Sequence, residues 1–223
     1  MRSSRKLLIT AGPTHEPIDG VRYVANRSSG RLGIALAEAA REAGWAVTLL
    51  LGPVCAAPPE GVPVRRFETA ADLARLLDEH FPDCDVLIMA AAVADYRPRA
   101  PHAGKLPRTG RPLVIEFEPV PDLVAGCARR KQAHQCIVGF SLEEPDRLSE
   151  RAAAKLRGKG LDAIVANPLA TMGATDICAT ILTAAGERIV LGGGKDGARA
   201  IRKDAFARQL VAWIDAWSAS AET

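Results

Sequence analysis

The chain has 223 residues, 48% of them hydrophobic and 25% charged, with a formal net charge of +3. This length and apolar content allow a sizeable core, and we expect one domain over residues 1–223. The small net charge and the 4% of aromatic residues argue against a general nucleic-acid binder.

The chain begins with a basic stretch, residues 1–6, which leads directly into a strand pattern. No apolar signal segment follows it, and no apolar run reaches the ~18 residues of a membrane span. We therefore expect a short tail on a cytoplasmic protein. The cysteines form no C-x-x-C pair, so buried free thiols are expected rather than disulfides or zinc. They are Cys55, Cys84, Cys127, Cys136 and Cys178.

Short apolar runs alternate with helical patterns along most of the chain. The predicted strands are residues 7–11, 46–51, 64–67, 86–90, 136–140 and 163–166. The predicted helices are 32–43, 70–80, 121–130, 147–157 and about 199–217. Continuous apolar strands are typical of sheets covered on both faces. The pattern thus predicts an α/β fold with a Rossmann-like, doubly wound, mostly parallel sheet.

Two segments interrupt this alternation. Residues 97–111 are rich in Pro, Gly, Lys and Arg and precede a strand-like run at 113–117. Residues 179–183 and 188–191 flank a polar turn and predict an added β-hairpin.

The loop between the first strand and the first helix, residues 13–30, is unusually long. Such connections usually take about 2 to 6 residues. The loop is polar and ends at a helix N-terminus, which favours a binding role. It lacks the G-x-G-x-x-G fingerprint of dinucleotide folds, since Pro13 follows Gly12.

The end of this loop holds Ser28, Ser29 and Gly30. Either serine could cap the helix, and Gly30 would let a ligand approach its amides closely. A plain serine cap is the simpler explanation of the serines alone, and the length of the loop favours binding.

Residues 89–98 follow a buried strand, at the sheet edge where open α/β folds bind ligands. The small residues there leave room for a flat group. Asp95 could accept hydrogen bonds from a base amine or a ribose hydroxyl, or it could cap a turn.

A basic loop comes next and suits a triphosphate or a pyrophosphate leaving group, unless it is simply solvated. We expect no acidic residue to pair with its basic residues, which are Arg97, Arg99, His102, Lys105, Arg108 and Arg111.

A second basic series, Arg147, Arg151, Lys155 and Lys159, recurs every four residues and predicts a stripe along one helix. Gly158 is expected to end that helix before Lys159. A solvated face is the alternative to a ligand site. No nucleophile elbow, P-loop or metal-ligand cluster is present, so Mg²⁺ would be carried on substrate phosphates.

Together these segments resemble phosphopantothenate–cysteine ligase, the second half of the bifunctional bacterial coenzyme A biosynthesis flavoprotein. The resemblance covers nearly the whole chain. The matching motifs are residues 10–14, 16–19, 21–23, 26–33, 91–98, 138–140 and 164–167.

The resemblance implies a reaction. The 4′-phosphopantothenate carboxylate attacks the α-phosphate of a nucleotide, which is CTP in most bacteria, and pyrophosphate leaves. The sequence leaves the choice between CTP and ATP open, with CTP favoured. Cysteine then attacks the acyl-cytidylate and CMP departs. The resemblance also implies Mg²⁺. The flavin-binding decarboxylase half of the family protein is missing, so we expect no flavin and a decarboxylase supplied by a separate protein. Composition and hydropathy lead us to expect no nucleic-acid or membrane partner. The resemblance further implies a homodimer, with residues 97–117 reaching toward the partner.

By motif position, Asn26 and Lys105 resemble catalytic residues, Asn26 handling the intermediate and Lys105 lying near the triphosphate. The residues that resemble nucleotide contacts, besides Lys105, are Met89, Ala90, Ala91, Asp95, Pro121, Asp122, Leu123, Phe140, Lys155 and Lys159. The residues that resemble substrate and phosphate contacts are Gly12, Ser28, Ser29 and Gly30.

The chain departs from the family pattern at several positions. Leu106, Pro107 and Arg108 follow Lys105 where the family has two more lysines, and Val120 replaces a common Asn. Arg31 replaces a common lysine, and residues 142–144 replace a small-residue run. These changes bear on nucleotide preference and turnover. A nucleotide-binding module without activity is therefore the alternative; a nicotinamide-dependent oxidoreductase is opposed by the missing glycine fingerprint.

Overall fold

The structure is a computed structural model that describes residues 4–220. The start of the basic tail, residues 1–3, lies outside the described residues. The helices are α1 (Arg31–Glu42), α2 (Ala70–His80), α3 (Leu123–Arg130), α4 (Leu148–Lys159) and α5 (Lys203–Ser220). The strands in the first half are β1 (Lys6–Ala11), β2 (His15–Pro17), β3 (Tyr23–Ala25), β4 (Ala46–Leu51), β5 (Val64–Arg66), β6 (Val86–Met89), β7 (Tyr96–Pro98) and β8 (Phe117–Pro119). Those in the second half are β9 (Cys136–Glu143), β10 (Ala163–Pro168), β11 (Asp176–Ile177), β12 (Ala179–Thr183), β13 (Arg188–Leu191) and β14 (Ile201–Arg202).

An eight-stranded sheet forms the centre of the molecule, in the order β13-β12-β10-β9-β6-β1-β4-β5. The six strands from β10 to β5 are parallel, and β12 and β13 add the expected antiparallel hairpin at one end. The predicted Rossmann-like α/β fold is thereby confirmed.

Helices cover both faces of this sheet, because its strands place apolar side chains on alternating sides. Leu7 and Ile9 of β1 pack with α1 and α5, whereas Leu8 packs on the opposite face with α2, α3 and α4. The carboxyl ends of the parallel strands are consequently flanked by one helix group on each side.

Several local predictions of secondary structure were wrong. The last helix, predicted from about residue 199, begins only at Lys203, after strand β14. The run at 113–117 forms no strand over residues 113–116, and Val114 is 90% exposed. The long loop 13–30 contains the β2–β3 hairpin. Helix α4 continues through Gly158 to Lys159 and ends at Gly160, whose φ of 67° is the left-handed conformation that glycine adopts easily.

The cysteines follow their predicted burial only in part. Cys84, Cys127 and Cys136 are buried, but Cys55 is exposed and Cys178 is partly buried. Burial raises the pKa of Cys84 to about 12 and that of Cys127 to about 11. Within residues 4–220, no helix combines the length and apolarity needed to cross a membrane.

Candidate functional site

A cavity of about 880 Å³ lies at the carboxyl edge of the sheet, beyond the ends of β6, β9 and β10. The two helix groups contribute to different sides of it. Helix α1 and the start of α5 border one side, and α3 and α4 border the other. This position fits the rule that open α/β sheets bind ligands outside the carboxyl ends of their strands.

Hydrogen bonds connect the segment after β1 with the segment after β6. The main-chain N–H of Ala92 donates to the carbonyl of Gly12 at 2.9 Å. The hydroxyls of Thr10 and Thr14 accept from the N–H groups of Ala91 and Ala94, each at 3.0 Å. Both threonines are fully buried. The small-residue loop that leads to Asp95 is therefore held in a fixed position.

Asn26, in the long loop, is hydrogen-bonded to the small-residue loop, and we call these two segments together the polar floor of the cavity. The Asn26 Nδ2 donates to the carbonyl of Val93 at 2.9 Å, with a longer contact of 3.4 Å to that of Ala92. Asn26 and Asp95 both line the cavity, so the amide and the candidate nucleotide contact border the same space.

The N-terminus of α1 opens onto the cavity without a side-chain cap. The capping residue is Gly30, with φ 68°, so the predicted serine cap was wrong. Ser28 and Ser29 instead line the cavity beside it. Because the first amides of a helix lack intrahelical acceptors and carry partial positive charge, this end can bind an anion.

The two lysines of α4 that line the cavity are each paired with a carboxylate. Lys155 Nζ lies 2.6 Å from Glu143, and Lys159 Nζ lies 3.0 Å from Asp122. The Glu143 side chain is only 5% exposed and also pairs with Arg151. Burial pushes the Glu143 pKa up, but hydrogen bonds from Lys155 and Ser141 outweigh it, so the pKa is lowered and Glu143 stays ionised.

Glu143 was missed as a supporting residue by sequence reasoning. A glutamate in a mixed polar run gives no signal of burial, and only the pairing of β9 with β10 fixes which way it points. Asp122 has a second role, because its carboxylate accepts from the N–H of Ala125 and caps α3.

Lys105 lies outside the cavity of its own chain. It belongs to residues 99–116 between β7 and β8, here called the basic arm. The arm is bound to the β2–β3 turn, where Gly20 N–H donates to the Gly104 carbonyl at 2.8 Å and His102 N–H donates to that of Ile18 at 3.0 Å.

Two arginines of the predicted basic loop, residues 97–111, are neutralised by carboxylates. Arg97 pairs with Glu118 at 2.8 Å and Arg99 pairs with Glu116 at 2.7 Å. The prediction that this loop is unpaired was therefore wrong, because the acidic partners follow on the returning strand β8 and just before it.

Three further cations line the cavity: Arg27 in the long loop, Arg31 at the start of α1 and Lys203 at the start of α5. Burial and the nearby Arg31 lower the pKa of Lys203. Sequence reasoning missed Lys203, since it lies far along the chain and nothing in its neighbours marks it. The contact of α5 with α1 brings it to the site.

The cavity gathers the predicted site residues except Lys105 and Gly12. Those that line it are Asn26, Ser28, Ser29, Gly30, Met89, Ala90, Ala91, Asp95, Pro121, Asp122, Leu123, Phe140, Lys155 and Lys159. Gly12 is buried, and a Cβ added to Gly30 would lie 3.5 Å from its backbone. Their functional roles stay predictions.

The family model for the DNA/pantothenate metabolism flavoprotein C-terminal domain matches residues 2–217. A relative named cysteine/cysteine sulfinic acid decarboxylase, from an unknown prokaryotic organism, is 43% identical over 77% of this chain and 48% of its own length. The coenzyme A biosynthesis bifunctional protein CoaBC of Mycobacterium bovis is 42% identical over 74% of this chain and 42% of its own length. The chain thus spans less than half the length of these curated relatives.

Two solved structures of similar fold can be compared with the chain. The crystal structure of the C-terminal domain of a coenzyme A biosynthesis bifunctional protein CoaBC aligns with a TM-score of 0.81 at 34% identity, over 97% of this chain and 96% of that one. A Cab2 variant in complex with phosphopantothenate-cysteine aligns with a TM-score of 0.78 at 18% identity, over 98% of this chain and 89% of that one. At that identity, the second structure shows the fold alone.

Proposed function

Because the chain belongs to the DNA/pantothenate metabolism flavoprotein C-terminal domain family, we propose that it joins 4′-phosphopantothenate to L-cysteine through an acyl-nucleotide intermediate. The products are 4′-phosphopantothenoylcysteine, a nucleoside monophosphate and pyrophosphate, and residues 1–223 act as one domain. The relative named as a decarboxylase matches over only 48% of its length, so we do not transfer that activity.

One observation supports this proposal above the others: a single cavity joins the Asn26 loop, the small-residue loop and the α4 lysines. The substrates are polyanions, and the cavity offers cations, helix amides and a fixed polar floor. Neither proposed step needs an enzyme nucleophile, so positioning and charge stabilisation suffice.

The side of the cavity bordered by α3 and α4 suits the nucleotide. Phe140 and the small residues Ala90 and Ala91 can flank a flat base, and Asp95 can accept from a base amine or a ribose hydroxyl. Lys155 and Lys159, each positioned by its carboxylate partner, are placed to contact phosphate oxygens with their remaining N–H groups. Asn26, held by the Val93 carbonyl, is placed to orient the acyl-nucleotide for attack by the cysteine amine.

We include Mg²⁺, which offsets charge on the nucleotide phosphates when bound. Within residues 4–220, no group of three or more His, Cys, Asp or Glu side chains could hold a metal ion by itself. The phosphates would therefore supply most of its ligands, as is common for Mg²⁺ at nucleotide sites. CTP is our first choice of nucleotide by family resemblance.

We also propose a homodimer in which the basic arm reaches the partner. Exposed apolar side chains cluster on the arm and on the two hairpins beside it, β2–β3 and β7–β8. They are Val21, Tyr23, Tyr96, Leu113, Val114 and Phe117. Exposed apolar surface of this kind marks interaction sites. A second copy packed there would carry Lys105 toward the other cavity.

The test is a reconstituted reaction with 4′-phosphopantothenate, cysteine, Mg²⁺ and either CTP or ATP. We expect pyrophosphate release that depends on 4′-phosphopantothenate, and an amide product by mass spectrometry once cysteine is added. Nucleotide binding without release would instead support the alternative, a nucleotide-binding module without activity. The position of Lys105 outside its own cavity and its shortened lysine motif favour that alternative.

A further inference from the structure

The cations on the two sides of the cavity differ in their partners. On the α3 and α4 side, Lys155 and Lys159 each pair with a carboxylate. The other cavity cations are Arg27, in the loop before α1, and Arg31 and Lys203 on the α1 and α5 side. None of the three has a carboxylate within ion-pair distance among the residues that the structure describes.

Lys203 is held at this position by main-chain contacts. Its backbone N–H donates to the Thr175 carbonyl at 3.1 Å, and its Nζ donates to the Thr171 carbonyl at 3.4 Å. The ammonium therefore lies partly buried at the cavity wall, near a second cation. Burial and Arg31 both lower the pKa of Lys203, as expected where positive charge lacks an anion.

We propose that Arg31 and Lys203 bind the terminal phosphate of the acid substrate and so select the phosphorylated form of pantothenate. This inference rests on the function proposed above. A phosphate monoester carries close to two negative charges at neutral pH. Arg31 and Lys203 lie close enough for the charge of Arg31 to act on Lys203, and neither has a carboxylate partner, so together they would neutralise the phosphate.

The geometry of the reaction assigns the two sides of the cavity. In 4′-phosphopantothenate, the phosphate and the reacting carboxylate are at opposite ends of an extended molecule. The carboxylate must meet the nucleotide α-phosphate, so the terminal phosphate must lie away from the nucleotide. Cations on opposite faces of the sheet meet this requirement: Lys155 and Lys159 serve the nucleotide, and Arg31 and Lys203 serve the monoester.

Calorimetric binding to the purified chain tests the inference directly, with 4′-phosphopantothenate, pantothenate and CTP as separate ligands. We expect Lys203→Met and Arg31→Gln each to weaken 4′-phosphopantothenate binding about tenfold or more, while CTP affinity stays within about twofold. Lys203→Arg keeps the charge and should stay within about threefold of wild type. Arg208 is an exposed cation of α5 that pairs with Asp204, so Arg208→Gln is the matched control and should change neither affinity.

The outcomes separate this inference from the proposed function. If wild type binds 4′-phosphopantothenate and the two variants bind it equally well, or if they lose CTP instead, the inference is overturned while ligation stands. If the variants lose 4′-phosphopantothenate but wild type makes no amide, the phosphate site stands and the ligase activity fails. If wild type does not bind 4′-phosphopantothenate, both are overturned. Thermal unfolding of each variant confirms that it is folded.

Discussion

The main-chain N–H of Leu106 donates a hydrogen bond to the buried carboxylate of Asp19 at 3.0 Å. The same carboxylate accepts from the N–H groups of Val21 and Arg22 and pairs with the Arg22 guanidinium. One aspartate thus holds the β2–β3 turn and the start of the basic arm beside Lys105. The Arg22 guanidinium and these N–H groups outweigh burial and lower the pKa of Asp19.

Asp19→Asn should destabilise the fold in a pH-dependent way. A lowered carboxyl pKa contributes stability above the unfolded pKa of about 3.9, and that contribution is lost as pH falls through the folded pKa. The difference in free energy of unfolding between wild type and variant should be full near neutral pH and shrink below about pH 4. Urea unfolding across this range measures it. Glu116→Gln, which breaks an exposed pair of the same arm, is the control and should change little. A difference that is independent of pH would contradict this role of Asp19.

The origin of the basic arm's position shows where sequence reasoning ends. Continuous apolar runs are enough to predict the parallel sheet, because burial on both faces leaves a local mark. The Asp19–Leu106 bond joins residues 87 positions apart. Likewise, Lys203 reaches Arg31 only because Phe206 and Leu210 pack α5 on the face that α1 covers. Contacts of this kind depend on tertiary packing, which cannot be predicted from a single sequence.

Some sequence signals were present but carried a different meaning. Ser28 and Ser29 precede a helix as capping residues do, yet Gly30 in the left-handed conformation takes the capping position. Glu143 disturbs a small-residue run, yet it becomes the buried partner of Lys155. At both positions, the preference expected from the local sequence is overridden by tertiary structure around the cavity.

Glu143→Gln should raise the KM for the nucleotide several-fold with a smaller effect on 4′-phosphopantothenate. The neutral amide removes the negative charge that holds Lys155, and we expect a stability loss of about 1–3 kcal/mol for the altered buried group. Steady-state kinetics with each substrate varied in turn measures the difference. Glu144→Gln, at the exposed neighbouring position, is the control. A KM for the nucleotide that is unchanged in Glu143→Gln would mean that Lys155 needs no such support.

Two glycine-to-alanine changes in helices should have opposite signs. A Cβ on Gly33 of α1 would lie 2.4 Å from the Cβ of Ala11, so helix and strand would have to separate. Gly33→Ala should cost about 1–3 kcal/mol in unfolding free energy, as overpacked substitutions do. Gly158 of α4 has no neighbour within 4 Å of its would-be Cβ. Gly158→Ala should therefore stabilise the protein by about 0.5–1 kcal/mol through helix propensity. Denaturant unfolding of both variants decides the matter, and equal effects would refute the close α1–β1 contact.

The placement of Lys105 outside its own cavity leads to a test with mixed dimers. Alone, Lys105→Gln should abolish pyrophosphate release, and Asn26→Asp should slow or trap the acyl-nucleotide, so each variant makes little amide.

If Lys105 acts on the partner's cavity, a mixed dimer of the two variants has one site with both residues intact. After the two variants are unfolded and refolded together, product formation should return to about a quarter of wild type, because half of the dimers are mixed and each has one working site. Refolding each variant separately is the control. If product formation stays at the level of the separate variants while size-exclusion chromatography shows dimers, Lys105 does not act across the interface.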